Sequence, residues 1–407
     1  MRVRTPGAPE VSSPPQSSDA GLRVTRAYVD LDAIEANVRV MRSLAPRSQY
    51  LAVVKANGYG HGAVLVAAAA LRGGADRLGV YTVQEGAQLR RAGVEAPILV
   101  FGAFGRYEAT EIVRYHLTPT ISRPEQAEWL QAASPSIPIP YHFKIDTGLT
   151  RAGVLPAEAP ALIRSLSSFP CLVPEGIFTH FACADEPQRP ENARQLATFL
   201  ATVESLAAEG LAFPLKHAAA SAATMAMPES HLDMVRCGIS TYGCNPSRLA
   251  AANVRLTPAL TLRSEIVRVT SLPAGTGVGY GHDFHCSAGT RIALVPLGYG
   301  DGLPRSFGCG NGCVLLRGES VRVVGRVSMD QITVDVTDLP HAEVGDEITV
   351  IGGQGERFQT AEDVADQCGT INYEVLTRLM PRVPRVYHAE GEVVAVADLL
   401  DGSSTAG

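Results

Sequence analysis

The stretch Tyr50-Leu51-Ala52-Val53-Val54-Lys55-Ala56-Asn57-Gly58-Tyr59-Gly60-His61-Gly62 sets the terms for the fold. Five apolar residues end at a lone Lys55, a glycine-rich turn follows, and an apolar helical run continues over 63–71. A continuous apolar run of this length suits a strand covered on both faces, the situation of parallel sheets. Outward from this unit, strands are expected near 50–55, 77–82, 97–102, 118–122, 139–146, 174–181, 214–218 and 233–237. Amphipathic helical stretches such as 84–92 and 192–209 lie between most of them. Ahead of them Asp32 opens a helix with Glu35 three places on, an Asp variant of the capping box, and Ile34, Val38 and Met41 share one face. Strands with helical crossovers predict an α/β fold, a parallel (β/α)8 TIM-type barrel over residues 26–252. A doubly wound open sheet has the same periodicity, and pattern alone leaves it open.

The texture then changes. Residues 260–269 alternate on a period of two, and short runs follow at 290–296, 314–316, 321–324, 332–336 and 347–351, separated by Gly, Pro and Asp turns. This predicts a mostly β C-terminal domain over 253–397, closed by helical stretches at 361–367 and 373–380. Residues 1–25 are rich in Pro, Ser and Gly and hold no apolar core, which predicts a disordered tail and no signal peptide. A second tail is expected over 398–407.

Composition bounds the function classes. The chain has 407 residues, 46% hydrophobic and 19% charged, with a formal net charge of -6. That is enough for a large barrel plus a second domain, and it gives no reason to expect nucleic acid or an anionic membrane surface as partner. The apolar run at 63–71 is far short of the roughly 20 residues of a membrane span. Eight cysteines include no Cys-x-x-Cys, and the nearest pair, Cys309 and Cys313, has no neighbouring His. Reduced thiols in the cytoplasm, without a metal site, are the expectation.

Lys55 carries the first chemical suggestion. In a (β/α)8 barrel the strand end that leads into the following turn carries the chemistry. An amine in apolar surroundings loses part of its preference for the charged form and becomes a usable nucleophile or base. This is the chemistry of a Schiff-base lysine, and pyridoxal 5'-phosphate is the usual partner for one.

The stretch Val54–Gly62 resembles the cofactor-lysine segment of the alanine racemases. The resemblance continues in His142-Phe143-Lys144-Ile145-Asp146-Thr147-Gly148-Leu149-Thr150-Arg151, Glu175-Gly176-Ile177-Phe178-Thr179-His180-Phe181 and Met234-Val235-Arg236-Cys237-Gly238-Ile239. It resumes in Val278-Gly279-Tyr280-Gly281, Gly298-Tyr299-Gly300-Asp301-Gly302, Gly325-Arg326-Val327-Ser328-Met329-Asp330-Gln331 and Thr370-Ile371-Asn372-Tyr373-Glu374. These segments run in the family's order from about residue 26 to 390, and they favour the barrel over the open sheet.

The resemblance implies the roles. Lys55 and Tyr280 are the two bases, one for each face of the substrate's Cα. Tyr59, Ser221, Gly238, Ile239 and Tyr373 hold the cofactor phosphate, and Arg236 faces the pyridine nitrogen. An arginine stays charged and accepts no proton, so the ring is a shallow electron sink, which favours racemisation over transamination. A phenol with an ordinary pKa near 10 needs help to act as a base, and His180 links Tyr280 to Arg236. Arg151 binds the substrate carboxylate with the backbone N–H of Met329, and Lys144, often carbamylated in the family, fixes Arg151. Asp185, Tyr299, Asp301, Arg305, Arg326, Asp330 and Ile371 fall along the access channel or just behind the site. The family works as a homodimer with shared sites, so Tyr280 comes from the partner chain. Its product D-alanine supplies peptidoglycan.

One departure stands out. Where many members carry His-x-x-Asn-Ser, this chain has His217-Ala218-Ala219-Ala220-Ser221. The phosphate serine is kept, and an amide near the cofactor is lost. Racemisation of another small amino acid such as serine therefore stays open. A non-catalytic pyridoxal-phosphate barrel lacks the β region that bears Tyr280, and a decarboxylase of the related barrel fold places an acid where Arg236 aligns.

Overall fold

The computed structural model describes residues 22–134, 137–247, 254–399 and 404–405. The expected tail over 1–25 falls largely outside them. Its last residues do not behave as a tail: Arg23 pairs with Asp301 and donates to the Pro296 carbonyl at 2.6 Å, and fully buried Thr25 meets Ser264 at 2.8 Å. The chain divides into two compact units, one of Leu31–Ala259 and one of the segment up to Asp30 together with the chain from Leu260 onward.

The first unit is the barrel. After β1 (Arg26–Asp30), which belongs elsewhere, its strands are β2 (Gln49–Val53), β3 (Arg77–Val80), β4 (Ile98–Val100), β5 (Thr118–Ile121), β6 (Ile139–Lys144), β7 (Leu172–Phe178), β8 (Leu215–His217) and β9 (Met234–Cys237). All neighbours pair in parallel in the order β8-β7-β6-β5-β4-β3-β2-β9. Between β8 and β9 the wall is completed by the Ala220–Arg236 bridge and by the Arg236 N–H on the Ala219 carbonyl at 2.9 Å. The open-sheet alternative is thereby excluded. Helices join the strands, and their starts follow from local chemistry. Thr82 and Glu85 form a reciprocal capping box for Val83–Arg91, and Pro124 and Pro190 open Pro124–Ala133 and Pro190–Ala208, where no N–H is required. The first helix, Leu31–Leu44, buries Ile34, Val38 and Met41 completely. It starts one residue before Asp32, which lies inside its first turn.

The second unit is one large sheet. Its order is Arg268–Ser271, Arg291–Val295, Ile332–Asp335, Glu319–Val324, Cys313–Leu316, Glu347–Gln354, β10 (Leu260–Glu265), β1, Arg385–Ala389, Glu392–Ala397 and Ser404–Thr405. The last pair keeps part of the expected C-terminal tail in the sheet, and the rest of that tail lies mostly outside the described residues. The expected single run over 260–269 is two strands. At Ile266 and Val267 the chain changes partner, from the Asp346 carbonyl to the Leu294 carbonyl.

The expected domain boundaries at 26 and 252 shift. β1 is antiparallel to β10 and parallel to Arg385–Ala389, so it is a strand of the β unit. Its own pattern gives the reason: Ala27 and Val29 are buried and their neighbours are not, whereas β2 is buried from Tyr50 to Val53. Alternation is the mark of a half-covered antiparallel strand.

Asn37 ties the barrel unit's first helix to the end of that unit. Its amide donates to the Thr257 carbonyl at 2.8 Å and the Thr241 carbonyl at 3.3 Å, and accepts from the Thr257 N–H at 2.8 Å. Asn37→Ala leaves these groups unsatisfied and is expected to cost about 2–4 kcal/mol. Ser43→Ala on the exposed side of the same helix should stay within about 0.5 kcal/mol. Urea unfolding followed by circular dichroism separates the two.

Candidate active site

The chain leaves β2 through a strained turn. Val54 still donates to the Gly79 carbonyl at 2.8 Å. Lys55 follows, and then Ala56, Asn57, Gly58 and Tyr59 take φ of 52, 54, 59 and 50°, one turn of left-handed helix. Side chains other than glycine pay about 1–2 kcal/mol each for this conformation. It is held by over-determination. Glu85 takes the Ala56 N–H at 2.6 Å, and the Asn57 side chain takes the Ala63 N–H at 3.0 Å. The other oxygen of Glu85 caps the next helix through the N–H groups of Tyr81 and Thr82. The glycines foretold a turn, but nothing in the sequence pattern foretold that Ala56, Asn57 and Tyr59 would join Gly58 in it, or that Glu85 would hold it.

The chain has three lysines, Lys55, Lys144 and Lys216. Lys216 pairs with Asp233 at 3.1 Å, and Lys144 donates to the Ala152 carbonyl at 2.8 Å. Lys55 is half-buried, with its Nζ 6.0 Å from the centre of the Tyr81 ring. Burial, and then the charge of Arg151, lower its pKa against the pull of Glu85. Burial and Arg151 likewise bring Lys144 to about 8. Arg151 itself is exposed, on a loop held by Asp146, which accepts from the N–H groups of Gly148 and Thr150 at 3.0 Å.

Across the β8 and β9 ends lies an anion cradle. The Ser221 oxygen accepts from the Gly238 N–H at 3.0 Å and from the Ser240 hydroxyl at 2.9 Å. Its lone pairs are thus engaged, and its own proton has no acceptor among the described residues. A Cβ on Gly238 would lie 2.5 Å from the Tyr59 hydroxyl, so glycine is what lets that phenol approach. Ile239 begins the tight helical turn Ile239–Tyr242. A hydroxyl donor, a phenol and adjacent backbone N–H groups suit a phosphate monoester. Ser240 is a member of this cradle that the sequence reading did not single out.

Arg236 is buried, and burial lowers its pKa to about 9. All its acceptors are neutral: the carbonyls of Thr179 and Ala218 at 2.9 Å, His217 Nδ1 at 2.9 Å and His180 Nδ1 at 3.2 Å. The Phe178 ring lies 5.3 Å from its Cζ. Its Nε–H has no acceptor among the described residues, which suits a ring nitrogen that only accepts. His180 is held neutral, its pKa driven well down by burial and then by Arg236. Since a guanidinium only donates, His180 presents Nδ1 as acceptor and carries its proton on Nε2. Asp185 is exposed, its carbonyl bonded by Ser247 at 2.6 Å.

The remaining expected residues lie in the β unit. Tyr280 projects from the hairpin Gly277–Val278 to Phe284–His285 and is 71% exposed. Asp283 of that hairpin binds Arg326 at 2.5 Å. Met329 and Ile371 are 53% and 61% exposed; Tyr299 and Arg305 are exposed, and Tyr373 is half-buried. The Met329 carbonyl accepts from the Gly300 N–H at 2.7 Å and from Arg382 at 3.2 Å, and Arg382 also reaches Asp330 at 2.7 Å. Asp301 has no exposure, and it binds Arg23, Arg382 and the Gly298 N–H, so it sits behind the exposed residues and pins the loop beside Met329. Two of these partners are sequence-distant cations that no local motif displays. Among the described residues no cluster of His, Cys, Asp or Glu suits a metal ion.

Residues 29–246 match the family of alanine racemase N-terminal domains, and 259–387 match the alanine racemase C-terminal domain. The chain is similar to an alanine racemase of Symbiobacterium thermophilum, 42% identical over 91% of this chain and 98% of that one. It is similar also to one of Desulfovibrio desulfuricans, 41% identical over 89% and 97%. Among solved structures, alanine racemase from Bacillus anthracis with bound L-Ala-P is 36% identical, with a TM-score of 0.88 over 93% of this chain and 98% of that one. The enzyme of a D-cycloserine-producing Streptomyces lavendulae gives 39% and 0.85 over 90% and 97%.

With Lys216 paired and Lys144 bonded inside, Lys55 is expected to react first with an aromatic aldehyde at mildly alkaline pH. Borohydride trapping and peptide mapping should place the label there. Predominant label on Lys216 would contradict the assignment.

Proposed function

The chain belongs to the alanine racemase family, and on that premise we propose that it interconverts L- and D-alanine with pyridoxal 5'-phosphate as resident cofactor. The observation that carries the reading is Arg236, a donor-only group among neutral acceptors, in the same barrel unit as a lysine of lowered pKa and an anion cradle. When bound, the cofactor supplies an electron-poor ring that acidifies the Cα–H of an attached amino acid.

The side chains divide the remaining work. Lys55 is the amine that would hold the cofactor, and it would move a proton at one face of the substrate's Cα. Tyr280 moves the proton at the other face. Ser221, Ser240, Gly238, Ile239, Tyr59 and Tyr373 hold the phosphate. Arg236 would face the ring nitrogen with N–H donors alone and accepts no proton itself, which would favour racemisation over transamination. Arg151 orients the substrate carboxylate with a forked pair of donors. Lys144, its pKa lowered to about 8 by burial and then Arg151, would in its uncharged form add carbon dioxide with loss of a proton, giving a carbamate whose negative charge would anchor Arg151.

A single copy leaves Tyr280, Met329 and Ile371 open to solvent. We read this face as covered by a second copy in a homodimer, each barrel mouth receiving Tyr280 of the partner subunit. A C2 interface completes two sites with one set of residues. No helix among the described residues is long and apolar enough to cross a membrane. A cytoplasmic enzyme supplying D-alanine for peptidoglycan is the role that fits. Racemisation assayed over a panel of L-amino acids by circular dichroism tests the substrate, and a clear preference for serine over alanine would displace this reading.

Two variants probe the mechanism. Arg236→Glu should lower racemisation by roughly two orders of magnitude and raise the share of turnovers that end in amino-group transfer to the cofactor. An unchanged share would remove Arg236 from the ring nitrogen. Lys55→Ala and Tyr280→Phe chains, each nearly inactive, should complement after subunit exchange to at most about half the native activity per mixed dimer. No recovery, with exchange confirmed by mass, would put both bases in one chain.

A further inference from the structure

Arg236 is a buried cation with no carboxylate in contact among the described residues, yet a carboxylate is linked to it. His217 Nδ1 accepts from Arg236 Nη1 at 2.9 Å. His217 Nε2 lies 2.8 Å from His142 Nδ1, and His142 Nε2 lies 3.1 Å from Glu175. The other oxygen of Glu175 binds Arg77 at 2.9 Å, and Arg77 donates to Gln49 at 2.8 Å. Arg77 and Gln49 are the first residues of β3 and β2, so the chain of contacts runs toward the barrel mouth opposite Lys55.

Only one order of protons satisfies every link. The guanidinium donates and cannot accept, so His217 Nδ1 is bare and its proton sits on Nε2. That proton is given to His142 Nδ1, so His142 also carries its proton on Nε2, facing Glu175. Reversing the order would require Arg236 to accept. Both imidazoles are wholly buried, and burial holds both neutral. Burial alone would raise the Glu175 pKa, but the bonds from His142 and Arg77 outweigh it and hold Glu175 ionised, at about 2.

The packing is cut to this arrangement. Phe178 stacks on His217 at 4.7 Å with an interplanar angle of 11°, and the same ring lies against Arg236. Gly176 is paired in register with His142, and a Cβ there would fall 2.5 Å from His142 Nδ1. The ring occupies space that only glycine leaves.

We propose that His217, His142 and Glu175 are positioning residues which give Arg236 a negative partner at a distance, through two neutral imidazoles. A carboxylate in direct contact would draw the guanidinium away from its ligand and put a proton acceptor beside the ring nitrogen. The relay avoids both. It partly neutralises the buried cation, weakens Arg236 as an acid, and leaves donors alone facing the ligand. The inference rests on the reading of Arg236 as the ring-nitrogen partner.

The test begins with 15N-histidine NMR of the unmodified holoenzyme. His217 and His142 should each show a protonated Nε2 and a bare Nδ1; the opposite tautomer or an imidazolium at either position overturns the relay. In Glu175→Gln the Nε2–H signals of both residues should move upfield, His142 more than His217, and amino-group transfer per racemisation should rise severalfold. Gly176→Ala, which displaces His142 and keeps the carboxylate, should raise that share in the same direction, and Glu175→Asp should restore part of the native value. A lower melting temperature in both Glu175→Gln and Gly176→Ala, with the His217 signal and the transfer share unchanged, would reduce the chain to a structural role and overturn the proposal. If the NMR shifts appear while Arg236→Glu leaves the transfer share unchanged, the relay stands and the ring-nitrogen reading fails.

Discussion

A guanidinium enclosed within a parallel barrel sets the terms for much of what surrounds it. Burying such a charge costs several kcal/mol unless its donors are met. Arg236 meets this by exhausting the local acceptors: two strand-end carbonyls, two imidazoles and an aromatic face. Each fixes something else. The Thr179 and Ala218 carbonyls lie just past the ends of β7 and β8, which fixes how those strands finish beside β9. The imidazoles lose their freedom of tautomer and become fixed dipoles. Phe178 is held between a cation and an imidazole and cannot turn without breaking both contacts.

The second constraint is local strain. A left-handed turn built on three residues other than glycine is uphill alone, and Glu85 offsets it from a different crossover. The carboxylate serves two elements at once, the strained turn and the cap of the following helix. Lys55 therefore stands on a segment with little freedom to relax.

Legibility in the sequence followed the range of the interactions. The barrel strands were readable because each is a short apolar run covered on both faces, and the candidate site residues of the barrel stood out because they sit at strand ends in motifs of contiguous residues. What escaped depends on partners far away. β1 reads as a strand, but only its alternation of buried and open residues tells which sheet takes it. Asp301 sits in a motif that does not show its partners, and its burial follows from Arg23 and Arg382, distant in the chain. Ser240 has no signal beyond being a serine after Gly238-Ile239. His142 and Glu175 were visible as members of two motifs, but their alignment needs the register of β6 against β7.

The position of β1 bears on how the chain is made. It precedes the barrel in the chain, yet its neighbours are β10, paired through Val29 and Leu260, and a strand beginning at Arg385. At ordinary synthesis rates more than two hundred residues take about 10–50 s to appear. Throughout that interval the strand Arg26–Asp30 has two unsatisfied edges, while the barrel that follows it can already collapse. The N-terminal segment thus behaves as a held-open slot in a sheet that does not yet exist, and the nascent chain needs protection there, not at its apolar barrel strands. Removing the first thirty residues after folding would expose β10 and the strand Arg385–Ala389 as fresh edges, the kind of surface on which chains add to one another.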